Sequence, residues 1–532
     1  MSLFLKLHTF DFSIPVHLDD LRYSLDAIQY SQGDSFIPQK KNPGWSLFVS
    51  PFYMMVNSDN FMDYSNLIRI LGLAISTISI IPMYLLAKRF FNEKFSLVAV
   101  TLFAFEPHLN FISGQGLSEP LFILVFILSI YFILKSEKKY IYLSFVLGGI
   151  FWWIRLEGFY LIIILSIIYF INYKKSKQSI RNFLICIGIF LIVVSPMFIQ
   201  RDIQYGDPFY IWYNDSLFAE NYGSLLASPG NSSAQEYLQQ NELYSFLDRF
   251  IFQGISNLSE TFVKMLFPFL IILVPFGIMF SFRPVEQNIK FIKSNWIVIL
   301  VTLSVLLIPF STIAERRFLF PLIPFLIIFA TIPIQRVVEY GLSTFSFSNT
   351  RKNYFLIIVC GLIILLGSSF TFGTGIYGYG ELDSELEKEK IQFTKFLYDN
   401  LDGRILNSHY DTEYVNYIQI MEMEGGFKAY ESPKGKNPYP DTYSPGELSQ
   451  IWVYGKTLDE LIQNGKNVGL KYISYSNNGS YFFPFFEESF SNYEQFPYLE
   501  KIYDAKQMGY KKLEVMIFEI NYEKFNQINL DK

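Results

Sequence analysis

Two cysteines and four histidines are all that 532 residues contain of the side chains that build disulfide frameworks and transition-metal centres. Cys186 and Cys360 both sit inside apolar runs, where a free thiol packs as a small hydrophobe, so neither a disulfide scaffold nor a metal cluster is expected. Charge is also scarce: acids and bases make up 17% of the chain, against about 25% in soluble domains. The sequence has no internal repeat and no low-complexity tract. It shows no cleavable signal peptide, and residues 1–16, with Asp11 and a broken apolar pattern, are too short and polar for a span.

Apolar and aromatic residues dominate instead, at 51% and 19%, with a mean hydropathy of +0.25. Apolar runs fall at about 67–87, 95–112, 118–134, 140–154, 158–173, 183–199, 262–281, 296–313, 318–335 and 354–372. Spans need about 17–25 apolar residues, so a polytopic α-helical membrane protein with about ten transmembrane helices is expected; the pair around Trp152–Gly158 could be one bent unit. Charge divides the chain as well. The residues before Tyr377 hold 27 basic and 23 acidic side chains, net +4, and the rest hold 16 and 25, net −9. A boundary near Gly373 to Gly380 follows, separating a membrane domain, 1–376, from a soluble tail, 377–532. The acidic tail argues against nucleic acid as a partner.

The loops alternate in basic content. Lys88-Arg89 and Lys94, Lys135 with Lys138-Lys139, Lys174 to Arg181, Arg283 with Lys290 and Lys293, and Arg336 with Arg351-Lys352 form the basic set, cytoplasmic by the positive-inside rule. The other set is then external: an acidic segment from His17 to Asp34, Ser113–Gly116, Arg155–Glu157, residues 200–260, Glu315–Arg317 and the tail. Four Asn-x-Ser sites, at Asn214, Asn231, Asn257 and Asn478, fall in that external set. In the tail, helices over Glu381–Leu401 and Thr457–Asn464 and strands at Gly403–Asn407, Val468–Tyr475, Leu499–Tyr503 and Leu513–Ile520 predict a small α/β domain, with turns at Asn464-Gly465 and Asn478-Gly479. The tail contains no catalytic triad, Gly-rich phosphate loop or metal-ligand spacing.

The external side thus collects Asp19, Asp20, Asp26, Asp34, Glu106, Glu119, Arg155, Glu157, Arg201, Asp202, Glu315, Arg316 and Arg317. Ionisable residues at span margins are costly and by default mark a site or pathway. Each also has a bland role open to it. Arg155 and Glu157 could pair and snorkel, Arg316 and Arg317 could anchor at the interface, and Glu119 could cap a helix opened by Ser118 and Pro120.

In order and sidedness these residues resemble the GT-C membrane glycosyltransferases, specifically the protein mannosyltransferase and aminoarabinose transferase group. That group's first external loop is similar to Asp19-Asp20-Leu21-Arg22-Tyr23, Ala27, Gly33 and Lys41-Asn42-Pro43 here. Its second acid matches Glu119 in Ser118-Glu119-Pro120, and its Arg-x-Glu-Gly step matches Arg155-Leu156-Glu157-Gly158. An Arg-rich loop with Gly-Asp-Pro-Phe matches Arg201 and Gly206–Phe209, and an Arg-Phe-x-x-Pro-x-x-Pro segment matches Arg317-Phe318, Pro321 and Pro324. The resemblance covers about residues 17–335. One departure stands out: the group begins with a transmembrane helix before the acidic loop, which this chain is expected to lack, and ten spans with the acidic segment and the tail both external would put its N-terminus outside.

The resemblance implies transfer of a mannose-like hexose from a polyprenyl (dolichyl) phosphate to an acceptor hydroxyl on the external face, with inversion. Asp19 would be the general base, with Asp20 in support and Glu119 orienting acceptor or sugar hydroxyls. Arg22, Lys41, Arg201 and Arg317 would hold the donor phosphate, with Arg155 a weaker choice; arginine's planar fork favours Arg22 and Arg317 over Lys41. Tyr23, Glu106, Arg155 and Glu157 are further candidate substrate contacts. No cofactor is required on this reading. Asp19, Asp20 and Glu119 could hold a divalent ion, but hard-cation sites usually need more oxygen ligands. Partners would be the lipid-linked donor, membrane lipid and an acceptor protein, lipid or glycan. Two other classes stay open: a transporter or flippase for a lipid-linked sugar, and a membrane scaffold whose tail binds a partner.

Overall fold

A computed structural model describes residues 2–34, 36, 41–173, 179–210, 243–282, 289–372, 383–408, 412–432, 444–476 and 483–530, with isolated positions 218, 227, 237 and 239. The expected boundary at 373–380, the sites Asn214, Asn231 and Asn478, and the basic residues Lys174, Lys175, Lys177 and Arg283 lie outside the described residues.

Among the described residues six helical stretches are long and apolar enough to cross a membrane: Phe61–Ala87, Leu156–Tyr173, Ser179–Tyr205, Phe291–Phe310, Arg316–Thr344 and Asn349–Phe372. The pair Tyr244–Leu266 and Leu270–Ser281 passes the same test only when taken together, and it is bent by 108° at its break, as in a broken span or a re-entrant loop. The expected run 95–112 is divided. Glu93–Ala104 ends, and Pro107–Ile112 restarts with Glu106 as its N-cap, because Pro107 lacks the N–H that would continue the first helix. Runs 118–134 and 140–154 form helices of 15 and 17 residues, Glu119–Ile133 and Lys138–Ile154. Arg316–Thr344 is the central stretch, with 89% of its most apolar window buried, against 22% for Ser179–Tyr205 and 17% for Asn349–Phe372, whose side chains face the surroundings.

The chain forms two compact units. The first takes in Met1–Phe12, Tyr30–Ile211 and Asn241–Glu381, and the second Ser13–Gln29, Trp212–Gln240 and Leu382–Lys532. The second unit therefore includes most of the acidic segment as well as the tail. That segment is not a loop: Leu18–Ser31 is a helix burying Leu21, Leu25 and Ile28, a spacing of three and four that suits one helical face.

The tail builds a five-stranded mixed sheet from β1 (Gly403–Leu406), β2 (Leu448–Ile451), β3 (Leu470–Tyr475), β4 (Leu499–Asp504) and β5 (Met516–Ile520), in the order β2-β1-β3-β5-β4. β1 pairs in parallel with β2 and β3, and β5 pairs antiparallel with β3 and β4. Strand alternation sends Leu406, Ile473 and Phe518 into one core and Ile405, Tyr472 and Ile517 into the other. Helix Leu458–Asn467 covers the first face through Leu458, Leu461 and Ile462, and Ser384–Asn400 covers the second through Phe393 and Leu397. Side chains start both helices: Asp383 accepts from Leu386 N, and Thr457 from Glu460 N. Asn464-Gly465 is not a turn but lies inside Leu458–Asn467, since Gly465 lets Leu470 pack against that helix. β2, a short Leu-Ser-Gln-Ile stretch, escapes the sequence reading because its alternation is too brief.

Candidate functional site

In the first unit, charge gathers where a helix is made to stop. Lys138–Ile154 ends at Arg155, whose backbone is extended at φ −143 and ψ 149, and a short 3-10 turn, Leu156–Phe159, follows. Two contacts enforce the stop. Asn42 donates its side-chain amide to Trp152 O, one of the carbonyls that a helix end leaves without a partner. Gly44 lies so close that a Cβ there would stand 2.5 Å from the Trp153 carbonyl.

The break sets the Arg155 guanidinium between two carboxylates. Its Nη1 reaches Glu119 Oε1 at 2.5 Å and its Nε reaches Glu157 Oε1 at 2.5 Å, while the rings of Phe122 and Phe318 lie 5.7 and 5.5 Å from its centre. Glu119 is the first residue of its helix, with Pro120 in the first turn, so the dipole favours its charge. Ser118 precedes it but makes no capping hydrogen bond. Glu119 is 1% exposed, and its Oε2 is buried with no hydrogen-bond partner among the described residues. Two carboxylates around one guanidinium leave the trio with a net charge of −1 and an acceptor oxygen to spare.

A second buried cation shares the same support. Arg201, near the end of Ser179–Tyr205, is fully buried and donates from Nη2 to Asn42 Oδ1 at 2.6 Å. Its Nε and Nη1 are buried with no partner among the described residues. Asn42 thus ties Arg201 to the helix end that presents Arg155. It went unrecognised as a site residue in the sequence, where its only signal was its place beside Lys41. The Gly206–Phe209 stretch turns the chain after Arg201: Gly206 has φ +69, and Asp207 Oδ1 accepts from Phe209 N.

Other expected residues are engaged elsewhere. Arg317, in the 3-10 turn Arg316–Leu322, pairs with Glu315. Glu106 is fully buried, and both its oxygens are used, one by His108 Nδ1 and one by Leu109 N, each at 2.7 Å. It caps the helix Pro107–Ile112.

Asp19, Asp20, Arg22 and Tyr23 belong to the second unit. Asp19 and Asp20 stand in the first turn of Leu18–Ser31; Asp19 is half-buried, Asp20 and Tyr23 buried. Arg22 is turned to its own helix and to the tail: its Nε lies 3.2 Å from Asp26 Oδ1, and its Nη1 donates to the Tyr430 hydroxyl at 2.6 Å. The i,i+4 spacing to Asp26 makes this pairing local. His17 Nε2 lies 3.6 Å from Glu413 Oε2. Burial alone lowers the imidazole's pKa, and Glu413, with Asp20 and Glu387 beyond it, outweighs this and raises it to about 9. Burial works against the Glu413 carboxylate too, but His17 and Lys390 hold its pKa below the usual value. His17, Glu387 and Glu413 bring ligand-type atoms within 4.8 Å of one another. The Lys390 ammonium already bonds both carboxylates, at 2.9 and 2.8 Å, and fills the place a cation would take.

The fold is similar to that of solved membrane proteins that include an archaeal oligosaccharyltransferase. The oligosaccharyltransferase AglB of Archaeoglobus fulgidus, solved with an inhibitory peptide and a dolichol-phosphate, aligns with a TM-score of 0.55 at 11% identity over 89% of this chain and 68% of its own. The same archaeal enzyme with Zn and sulfate aligns at 0.53 over 89% and 67%, also at 11% identity. ArnT from Cupriavidus metallidurans, bound to undecaprenyl phosphate, aligns at 0.49 over 97% and 96%, with 11% identity. Within this fold class, residues 49–199 match the family model of dolichyl-phosphate-mannose-protein mannosyltransferases, a stretch that holds Glu119, Arg155 and Glu157. A search of the curated proteins found no match.

Proposed function

We propose that the protein is a glycosyltransferase that moves a hexose from a polyprenyl phosphate to an acceptor hydroxyl at the extracytoplasmic face of a membrane. The observation that carries this reading is Arg201, a buried guanidinium with two nitrogens, Nε and Nη1, that have no protein acceptor among the described residues. A buried cation kept in that state near the end of a span is suited to an anion from outside the chain, such as a lipid phosphate at the membrane margin. The matched family and the dolichol-phosphate on the archaeal neighbour support that choice of anion.

The reaction forms a bond between the acceptor oxygen and the anomeric carbon and breaks the bond from that carbon to the phosphate oxygen, with inversion. Asp19 takes the acceptor's proton, and the electron pair leaves on the phosphate. Arg201, with Lys41, stabilises the charge that gathers there, and it does so best where water is scarce. The free Oε2 of Glu119 accepts from an acceptor or sugar hydroxyl, while Arg155 holds the other oxygen. No metal is required on this reading.

The test is transfer from a labelled polyprenyl-phosphate hexose by purified protein in lipid nanodiscs, with a membrane extract as acceptor source and with and without chelator. Transfer that vanishes in Asp19→Asn and in Glu119→Gln supports the assignment. Bound lipid with no transfer in the wild type refutes it and favours a carrier of lipid-linked sugar.

A further inference from the structure

The acidic helix is held along its length by one stretch of the tail. At its start, His17 meets Glu413, and its ring lies 4.7 Å from that of Tyr414. In the middle, Arg22 Nη1 donates to the Tyr430 hydroxyl at 2.6 Å, and the Ser432 hydroxyl donates to Asp26 Oδ1 at 2.5 Å. Toward its end, Gln29 Nε2 donates to Tyr430 O at 2.5 Å. Glu413 is fixed in turn by Lys390, which also binds Glu387, and Glu387 Oε2 accepts from the Tyr414 hydroxyl at 2.7 Å. Ser13–Gln29 accordingly belongs to the same compact unit as the tail.

The backbone records the same constraint. Leu18, between His17 and Asp19, has φ +57, in the left-handed region where a residue with a Cβ is disfavoured by about 1–2 kcal/mol. Its side chain is 40% exposed, so its own packing does not impose that conformation. Anchors on either side do: His17 before it and the helix pinned to Tyr430 after it.

We propose that residues 413–432 of the tail are a positioning element for Asp19 and Asp20, acting through His17, Arg22, Asp26 and Gln29. This gives the tail a part in the reaction beyond any choice of acceptor, and it rests on the reading of Asp19 as the general base. Glu413 and Tyr430 are positioning residues, each acting on the acids through a neighbour.

The experiment uses the full chain in nanodiscs and the variants Glu413→Gln and Tyr430→Phe, with Glu413→Asp as the conservative control. Hydrogen–deuterium exchange is read over 13–29 and over the sheet, and hexose transfer is read as kcat and donor KM. Hydrogen bonds to charged groups contribute about 1.5–3 kcal/mol, so exchange over 13–29 is expected to rise about tenfold or more. The sheet strands β1 and β3 should stay protected. In the same variants kcat should fall about tenfold while donor KM stays put, and Glu413→Asp should recover part of it. Unchanged exchange over 13–29 overturns the proposal, as does faster exchange in an active protein whose kcat does not move. A wild type that transfers no sugar defeats the glycosyltransferase reading instead, and the exchange data still decide whether the tail holds the helix.

Discussion

Replacing Arg201 by methionine separates a guanidinium that supports the fold from one that awaits an anion. In the folded chain two of its nitrogens, Nε and Nη1, are buried without acceptors among the described residues, which disfavours the folded state by about 1–3 kcal/mol each. The bond from Nη2 to Asn42 opposes this by about 1.5–3 kcal/mol, and its loss would leave Asn42 Oδ1 unpaired at about 1–3 kcal/mol. These effects nearly cancel. Arg201→Met should therefore change the stability of the lipid-free protein by no more than about 1–2 kcal/mol, whereas breaking a satisfied buried ion pair costs about 3–5 kcal/mol. Polyprenyl phosphate tells the other half. At a hundredfold excess over its Kd it should stabilise the wild type by about 2.7 kcal/mol and leave Arg201→Met unmoved. Thermal unfolding in detergent, followed by tryptophan fluorescence with and without the lipid, reads both effects. A variant that loses about 3–5 kcal/mol without lipid, or that gains as much from the lipid as the wild type, refutes the reasoning.

Gly44→Ala drives a Cβ into backbone atoms of Trp153 and Ile154 at 2.5 and 2.7 Å, so the segment carrying Asn42 must back away from the helix end. Overpacking of this kind costs about 1–3 kcal/mol, and displacement of Arg155 and Arg201 should lower hexose transfer about a hundredfold, measured beside the melting temperature. A pH series tests the His17–Glu413 pair. Because the folded pKa of His17 is raised from 6.5 to about 9, its stabilisation is fully present below pH 6.5 and is lost as pH rises through 9. The melting temperature of the wild type should exceed that of His17→Gln by an amount equivalent to about 3 kcal/mol at pH 6, and the two should converge above pH 9. A gap that stays constant from pH 6 to 9.5 would rule out the charged pair. On the acid side, the depressed pKa of Glu413 gives stabilisation that is present above 4.5 and lost as pH falls through the folded value, which Glu413→Gln should abolish.

Much of the membrane architecture was legible in the chain because burial in a bilayer writes itself locally. Long apolar runs such as 183–199 and 354–372 became the spans Ser179–Tyr205 and Asn349–Phe372, and the strands at 403–406 and 470–475 followed from alternation and flanking turns. The acids and arginines could be named as candidates for the same reason, since charge at a span margin stands out against its surroundings. Apart from the Arg155–Glu157 pair, their partners could not. That Arg155 bridges Glu119 and Glu157, that Asn42 carries Arg201, and that Arg22 turns to Tyr430 rather than outward depend on where helices stop and how they pack. Residues far apart in sequence leave no periodic trace of their contacts, and a polar run such as His17–Asp34 reads as a loop until a buried face for it exists. Only the folded chain decides which charges are satisfied within the protein and which, as in Arg201 and Glu119, keep buried polar atoms without a partner among the described residues, because pairing is a property of distance in space and not along the chain.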